Sequence, residues 1–316
     1  MNVDFGILPL GCPPSLNVDV SGVEIRVSFY AQAFLLALLC IRSGSSDEIS
    51  GSLSTLIGTN IIMVITSLIL GFREDPEMTL QDGLIVLYLL SISWIAICVA
   101  MTTFNRFKDH NQKLSYLSIF QSYLVFAFAI ALLAKWKNFG STPECNSEVV
   151  VFIFRIFNAI HVGRKAGWAV VITALVLYTG MMIVGYPRTI RSAIAKVRSS
   201  GSMTGGNLEE GKRNRICEPD LEFSGRIVLQ IIFIVILLPL AIVNTELLVK
   251  RNRSAPESHS QEQWAFGQVI PVFLIAHPLV KVLSAFKKYG LRSRKYFAMK
   301  NMNSKSDVAD GSQIKF

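Results

Sequence analysis

Seven stretches of this sequence are apolar over the full length of a lipid bilayer, and no other feature limits the fold as tightly. A hydrocarbon core of about 30 Å takes roughly 20 helical residues to cross. The runs fall at approximately 23–42, 52–72, 83–104, 114–134, 166–186, 226–248 and 265–285. Each must satisfy its own backbone hydrogen bonds in lipid, so each is expected to be a helix. The expected fold is an all-α membrane protein, a bundle of seven transmembrane helices over residues 23–285. A segment 1–22 precedes the bundle and a basic tail 286–316 follows it. Composition agrees: 51% of the 316 residues are hydrophobic and 17% charged, with a mean hydropathy of +0.45, too apolar for an ordinary soluble domain. Residues 1–22 contain no Lys or Arg, so the first run lacks the positive flank of a cleavable signal peptide and is read as an anchor.

Orientation follows from the cationic flanks. With the N-terminus outside, the inner segments hold twenty Lys and Arg and the outer segments nine. The N-terminus is therefore expected outside and the C-terminus in the cytoplasm, in the plasma membrane or an endomembrane. The net charge of +9 is spread in short blocks between apolar runs, which points to a membrane surface and not to nucleic acid. The tail stretch FKKYGLRSRKYFAMK places its Lys and Arg within reach of anionic inner-leaflet lipids.

Two segments between the spans carry their own expectations. EVVVFIFRIFNAIH, residues 148–161, is apolar but short and interrupted by Arg155 and Asn158, and it is expected to be an interfacial helix on the outer surface. Residues 187–225 begin with PRTIRSAIAKVR and continue into a Gly, Ser and charged tract without an apolar period. They are expected to form a flexible inner loop, the candidate contact for a cytoplasmic effector.

The topology gives meaning to two further features. Cys12 and Cys145 fall on the same outer side, where an oxidising compartment would pair them; two unpaired thiols are the alternative. Asn252-Arg253-Ser254 is a glycosylation sequon in the last outer loop, close to a helix end.

The last run, WAFGQVIPVFLIAHPLVK over 264–281, carries several polar groups. Trp264 suits the outer interface. Measured from it, Gln268 lies about 6 Å deep, His277 about 20 Å and Lys281 about 26 Å, so Lys281 can reach inner water as an anchor. Pro271 and Pro278 free the carbonyls of Gly267 and Leu274 and kink the helix. His277 is either a neutral imidazole bonded to another helix or an intramembrane proton or ligand switch.

Other polar residues crowd the outer half: Glu24, Arg26, Ser28 and Gln32 in the first span, Asp82 opening the third, and Asn244 and Glu246 near the end of the sixth. Together with Gln268 they could converge on an outward-facing ligand pocket in which Arg26 pairs with Glu246 or Glu24. The alternative is that they are interhelical hydrogen bonds and interface-level charges that hold the bundle together.

Catalytic constellations are missing. Four histidines lie too far apart for an intramembrane zinc site, and H-E-x-x-H and G-x-S-x-G do not occur. The third span lacks the carboxylate a retinal counter-ion would need. The reading is a non-enzymatic protein without metal or cofactor.

Several phrases carry a resemblance: GVEIRVSFY at 22–30, LQDGLIVLYLLSISW at 80–94, PECN at 143–146, NTEL at 244–247 and WAFGQ at 264–268. Together they resemble a group of uncharacterised fungal multipass membrane proteins. The resemblance implies architecture without an activity, a pairing of the early outer cysteine with that of PECN, and divergence in the Gly/Ser-rich inner loop. Two function classes follow from the whole: a seven-helix receptor-like sensor, and as the alternative a small-molecule or ion transporter or channel.

Overall fold

A computed structural model of the chain describes residues 17–43, 46–105, 111–153, 155–158, 163–200, 225–252 and 266–289. After a single turn at Val18–Ser21 come the long helices α1 (Val23–Arg42), α2 (Ser46–Phe72), α3 (Leu80–Phe104) and α4 (Gln112–Lys135). A two-stranded hairpin follows, β1 (Val150–Ile153) and β2 (Arg155–Asn158), and then α5 (Arg164–Ser200). Helix α6 runs from Gly225 to Arg251 through a π turn at Phe233–Leu237, and α7 spans Phe266–Tyr289. Six of the helices are long and apolar enough to cross a membrane, and α7 adds a further 24 residues of helix. The fold is thus an all-α bundle of six to seven bilayer-length helices, consistent with a multispan membrane protein.

Local sequence explains where these helices begin and bend. Thr79 and Asp82 form a reciprocal capping box at the start of α3: Thr79 Oγ1 accepts from Asp82 N at 3.2 Å, and Asp82 Oδ2 accepts from Thr79 N at 3.0 Å. Asn111 caps α4 by accepting from Lys113 N at 3.0 Å. In α6, Pro239 has no N–H to give to the carbonyl four residues back, and its ring crowds that carbonyl. The preceding turn widens, and Leu238 N bonds to Phe233 O five residues back.

Helix α1 is the hub, packed against α2, α3, α6 and α7. Helices α2 and α3 share a long contact, and α4 lies against both. Helix α5 leans on α4, where Tyr178 meets Trp94, Tyr123 and Phe126 with ring centroids 5.7, 5.9 and 6.0 Å apart.

The distribution of polarity is inverted relative to a soluble bundle. Ile62, Ile65 and Ile69 on α2 and Val176, Leu177, Met181 and Ile183 on α5 face outward, while Arg26, Gln32, Asn60, Asp82 and Gln121 are buried. Apolar surface turned outward over whole helices, with polar groups turned inside, is the pattern lipid imposes.

Three expectations are corrected here. The described part of 148–161 is not an interfacial helix: residues 150–153 and 155–158 pair as an antiparallel hairpin in which Val150 lies opposite Asn158 and Ile153 opposite Arg155. A run of β-branched and aromatic residues fits a pleated ribbon better than a helix. Nor is the inner loop 187–225 wholly flexible, since α5 continues without a break through Pro187 to Ser200 and is 37 residues long. The Gly/Ser tract after Ser200 lies outside the described residues, as do segment 1–16 and the tail from 290 onward.

The third correction concerns the sequon. Asn252 is 5% exposed and ends α6 with its amide fully engaged. Its Nδ2 donates to Val150 O at 2.8 Å and to Leu248 O at 3.0 Å, and its Oδ1 accepts from Val150 N at 2.8 Å. The side chain substitutes for a neighbouring strand along Val150. A glycan replaces one of the two Nδ2 hydrogens and so would break at least one of these donor bonds; Asn252 is a structural clamp, and its burial lends no support to glycosylation.

Candidate functional site

The upper end of the bundle, where α1 and α3 begin and α2 and α4 finish, holds a connected set of charged and polar side chains. Arg26 sits in the first turn of α1 with its side chain 6% exposed. Its Nε donates to Glu246 Oε1 at 3.0 Å and its Nη2 to Glu246 Oε2 at 3.3 Å, the two-pronged geometry that a planar guanidinium offers a carboxylate. Of the two partners offered for Arg26, Glu246 is the one it meets. Tyr30, one turn further along α1, donates its hydroxyl to Glu246 Oε1 at 3.1 Å.

The set extends toward α3. Arg26 Nη1 donates to Ser21 O at 3.0 Å, and Ser21 Oγ donates to Asp82 Oδ1. Asp82 is fully buried and accepts four hydrogen bonds, from Asn17 N, Ser21 Oγ, Thr79 N and Thr79 Oγ1. Its lone pairs are thereby consumed, which makes it a staple between the 17–21 turn and α3. Arg26 and Glu246 are different: three of the five guanidinium N–H groups are engaged, and the Glu246 side chain is 45% exposed. Within this pair Glu246 is open to solvent and Arg26 is sealed beneath it.

The remaining residues of the expected pocket are dispersed. Glu24 and Asn244 are half-buried, each two positions and so about 200° around its helix from Arg26 or Glu246. Ser28 and Gln32 are buried deeper in the bundle, where Gln32 Nε2 donates to Ser28 Oγ at 2.9 Å. The side chain of Gln268 lies outside the described residues. His277 is exposed on α7 and packs into the gap left by Gly51, where an added β-carbon would come within 2.7 Å of its Cε1. Close by at the lower end, Lys288 Nζ reaches Glu48 Oε1 at 3.2 Å and ties α7 to α2.

Residues that the sequence did not single out complete the upper end. Asn146, within PECN, donates its Nδ2 to the carbonyls of Trp136, Lys137 and Phe139 at 3.3, 3.2 and 3.0 Å, gathering the orphan acceptors beyond α4. Gly140 adopts φ +84, and a β-carbon there would lie 2.4 Å from Met78 O, so only glycine lets this loop cross the start of α3. PECN therefore does structural work that a short motif does not announce.

No disulfide joins two described residues, and Cys40 and Cys98 are free thiols. Cys145 is buried and disulfide-bonded; its partner lies outside the described residues, as does Cys12, and with it the expected Cys12–Cys145 pair. No group of three or more His, Cys, Asp or Glu among the described residues could hold a metal ion.

No protein-family model, no curated protein and no solved structure matches this chain. The resemblance to a fungal family therefore finds no support, and neither does a fungal origin or a glycoprotein. What fold and site define is a multipass, integral membrane protein with a charged cluster closing one end of its bundle.

Proposed function

We propose that this chain is a non-enzymatic, receptor-like membrane sensor, with its upper end outside and its tail in the cytoplasm. The observation that carries the reading is the forked Arg26–Glu246 pair, which joins α1 to α6 with one partner sealed and the other half open to solvent. An anionic ligand that takes the place of the Glu246 carboxylate at Arg26 would release the upper end of α6. The lower end of the same helix emerges from the 187–225 segment, the candidate effector contact, so a change at one face is coupled to the other through a single element. The excess of Lys and Arg on that lower side, and on the tail, supports the orientation and a contact with anionic lipid.

The charge-swapped variant R26E/E246R tests the proposal. It keeps an ion pair between the same helices but presents the opposite charge to a ligand. It is expected to reach wild-type abundance and to fail to rescue the phenotype of cells lacking the protein. Full rescue would sink the sensor site, and tags at the two termini reached from the same side would sink the orientation. A transporter is the second reading, favoured by the π turn and Pro239 in α6, where helices yield. Deleting residues 201–224 separates the two, since it would spare uptake and abolish coupling.

A further inference from the structure

The apolar core is not continuous. One cluster contains Phe29, Val64, Leu89 and Phe128; a second contains Ala33, Ile57, Ile92 and Leu114. On each of the helices α1 to α4 the second cluster is the lower one, and the boundary between them carries polar side chains: Gln32, Asn60, Ser93 and Gln121. The contacts at the upper end show that these four share one depth. Ser21 meets Asp82, Gly83 abuts Leu132, and Gly71 and Gly83 lie against the same Phe139 ring. From that level each of the four lies eleven residues inward along its own chain segment, counted from Ser21, Gly71, Asp82 and Leu132. Eleven helical residues are about 16 Å, the middle of a bilayer core.

These side chains are sealed and under-satisfied. Gln32 is 2% exposed, and Asn60, Ser93 and Gln121 are 0% exposed. Both amide atoms of Asn60, both of Gln121 and the Oε1 of Gln32 have no hydrogen-bond partner. Ser93 donates its hydroxyl to Leu89 O and keeps its lone pairs. Helices α2 and α3 form the shared edge of this layer, with α1 on one flank and α4 on the other. Five unpartnered amide atoms at one depth would consume a large part of the net stability of any protein. Whatever fills the layer must satisfy donors and acceptors together. An alkali cation would face the NH2 groups of the same amides, and the layer offers it no carboxylate. An apolar molecule would leave every amide unpaired.

We infer that the layer formed by Gln32, Asn60, Ser93 and Gln121 is a binding site for internal water, a hydrated seam at the centre of the membrane span. Water supplies both hydrogen-bond roles at the scale of a side-chain gap, and buried waters characteristically bridge such groups. The inference stands apart from the sensor reading, because none of the four residues touches Arg26 or Glu246 in the hydrogen bonds of the upper cluster.

Hydroxyl-radical labelling of the full chain in phospholipid nanodiscs, with radicals generated from oxygen-18 water, tests this. Met63 lies one turn beyond Asn60 and is 9% exposed; Cys40, 3% exposed in the lower apolar cluster, is the internal control. After normalisation to the reactivity of the free amino acids, Met63 is expected to take up label several-fold faster than Cys40. Asn60→Leu is expected to remove that excess. Equal normalised rates in the wild-type protein, or a Met63 rate unchanged by Asn60→Leu, would overturn the inference. Should Asn60→Leu fail to fold, Gln121→Leu puts the same question from the opposite flank, and the wild-type comparison decides on its own.

Discussion

Replacing Asn252 is the routine way to ask whether its sequon is used, and here it should give an answer unrelated to sugar. The asparagine amide makes three hydrogen bonds, two with Val150 and one with Leu248 O. In Asn252→Ala the Leu248 carbonyl keeps its backbone bond from the N–H of residue 252 at 3.1 Å, but Val150 N and O both lose their partner. An unsatisfied buried group costs about 1–3 kcal/mol, so the two together cost about 2–6 kcal/mol. At about 2–4 °C per kcal/mol for a chain of this size, that lowers the melting temperature by roughly 4–24 °C. Ser254→Ala destroys the same sequon while keeping the Asn252 amide and should leave the melting temperature where it was. The assay is unfolding in detergent, followed by a thiol-reactive dye on the free Cys40 and Cys98, beside gel mobility with and without glycosidase. If both variants melted like the wild type, or if Ser254→Ala lost a glycosidase-sensitive species, the reasoning that buries this asparagine would be refuted.

Other perturbations discriminate equally well. Glu246→Gln leaves the Arg26 guanidinium buried without its counter-charge, whereas Arg26→Met leaves a half-exposed carboxylate that water can reach; the first should destabilise by about 3 kcal/mol or more and the second by less, with the difference read from paired denaturation curves. Asp82→Ala removes both the capping box of α3 and the tether of the 17–21 turn. With the N–H groups of Asn17 and Thr79 both left without their acceptor, it should cost about 2 kcal/mol or more and accelerate amide exchange selectively over 17–22, and uniform acceleration would count against a local staple. Gly140→Ala combines a left-handed backbone with a β-carbon 2.4 Å from Met78 O and should lower protein yield and melting temperature, while Gly58→Ala, in open space, should not.

How much of this was legible in the sequence varies with the range of the interaction. The spans follow from length and hydropathy alone, and Val23–Arg42 matches its run end to end. Helix ends that lie in polar sequence did not: α2 starts at Ser46 and α3 at Leu80, each set by residues that carry no hydropathy signal. The hairpin of 150–153 and 155–158 is not legible in the sequence, because a short apolar run is ambiguous between strand and helix and the amide that pairs with it sits 102 positions away at Asn252. The same distance problem hid the roles of Asn146 and of the buried layer around Asn60. A polar residue in an apolar run announces that it needs a partner, but only the packing says which one.

The separation of Arg26 from Glu246, 220 positions, has a meaning for how the protein is made. Ribosomes add about 5–20 residues each second, so α1 leaves the translocon roughly 10–40 s before the carboxylate that neutralises it has been synthesised. Through that interval the guanidinium, three residues into the helix, must borrow headgroup phosphates or water at the rim of the bilayer. The central helix is thus inserted ahead of the other six described helices and is among the last to be locked. A nascent chain cut short before α6 would be a membrane-threaded polypeptide with its hub still loose, a ready substrate for quality control.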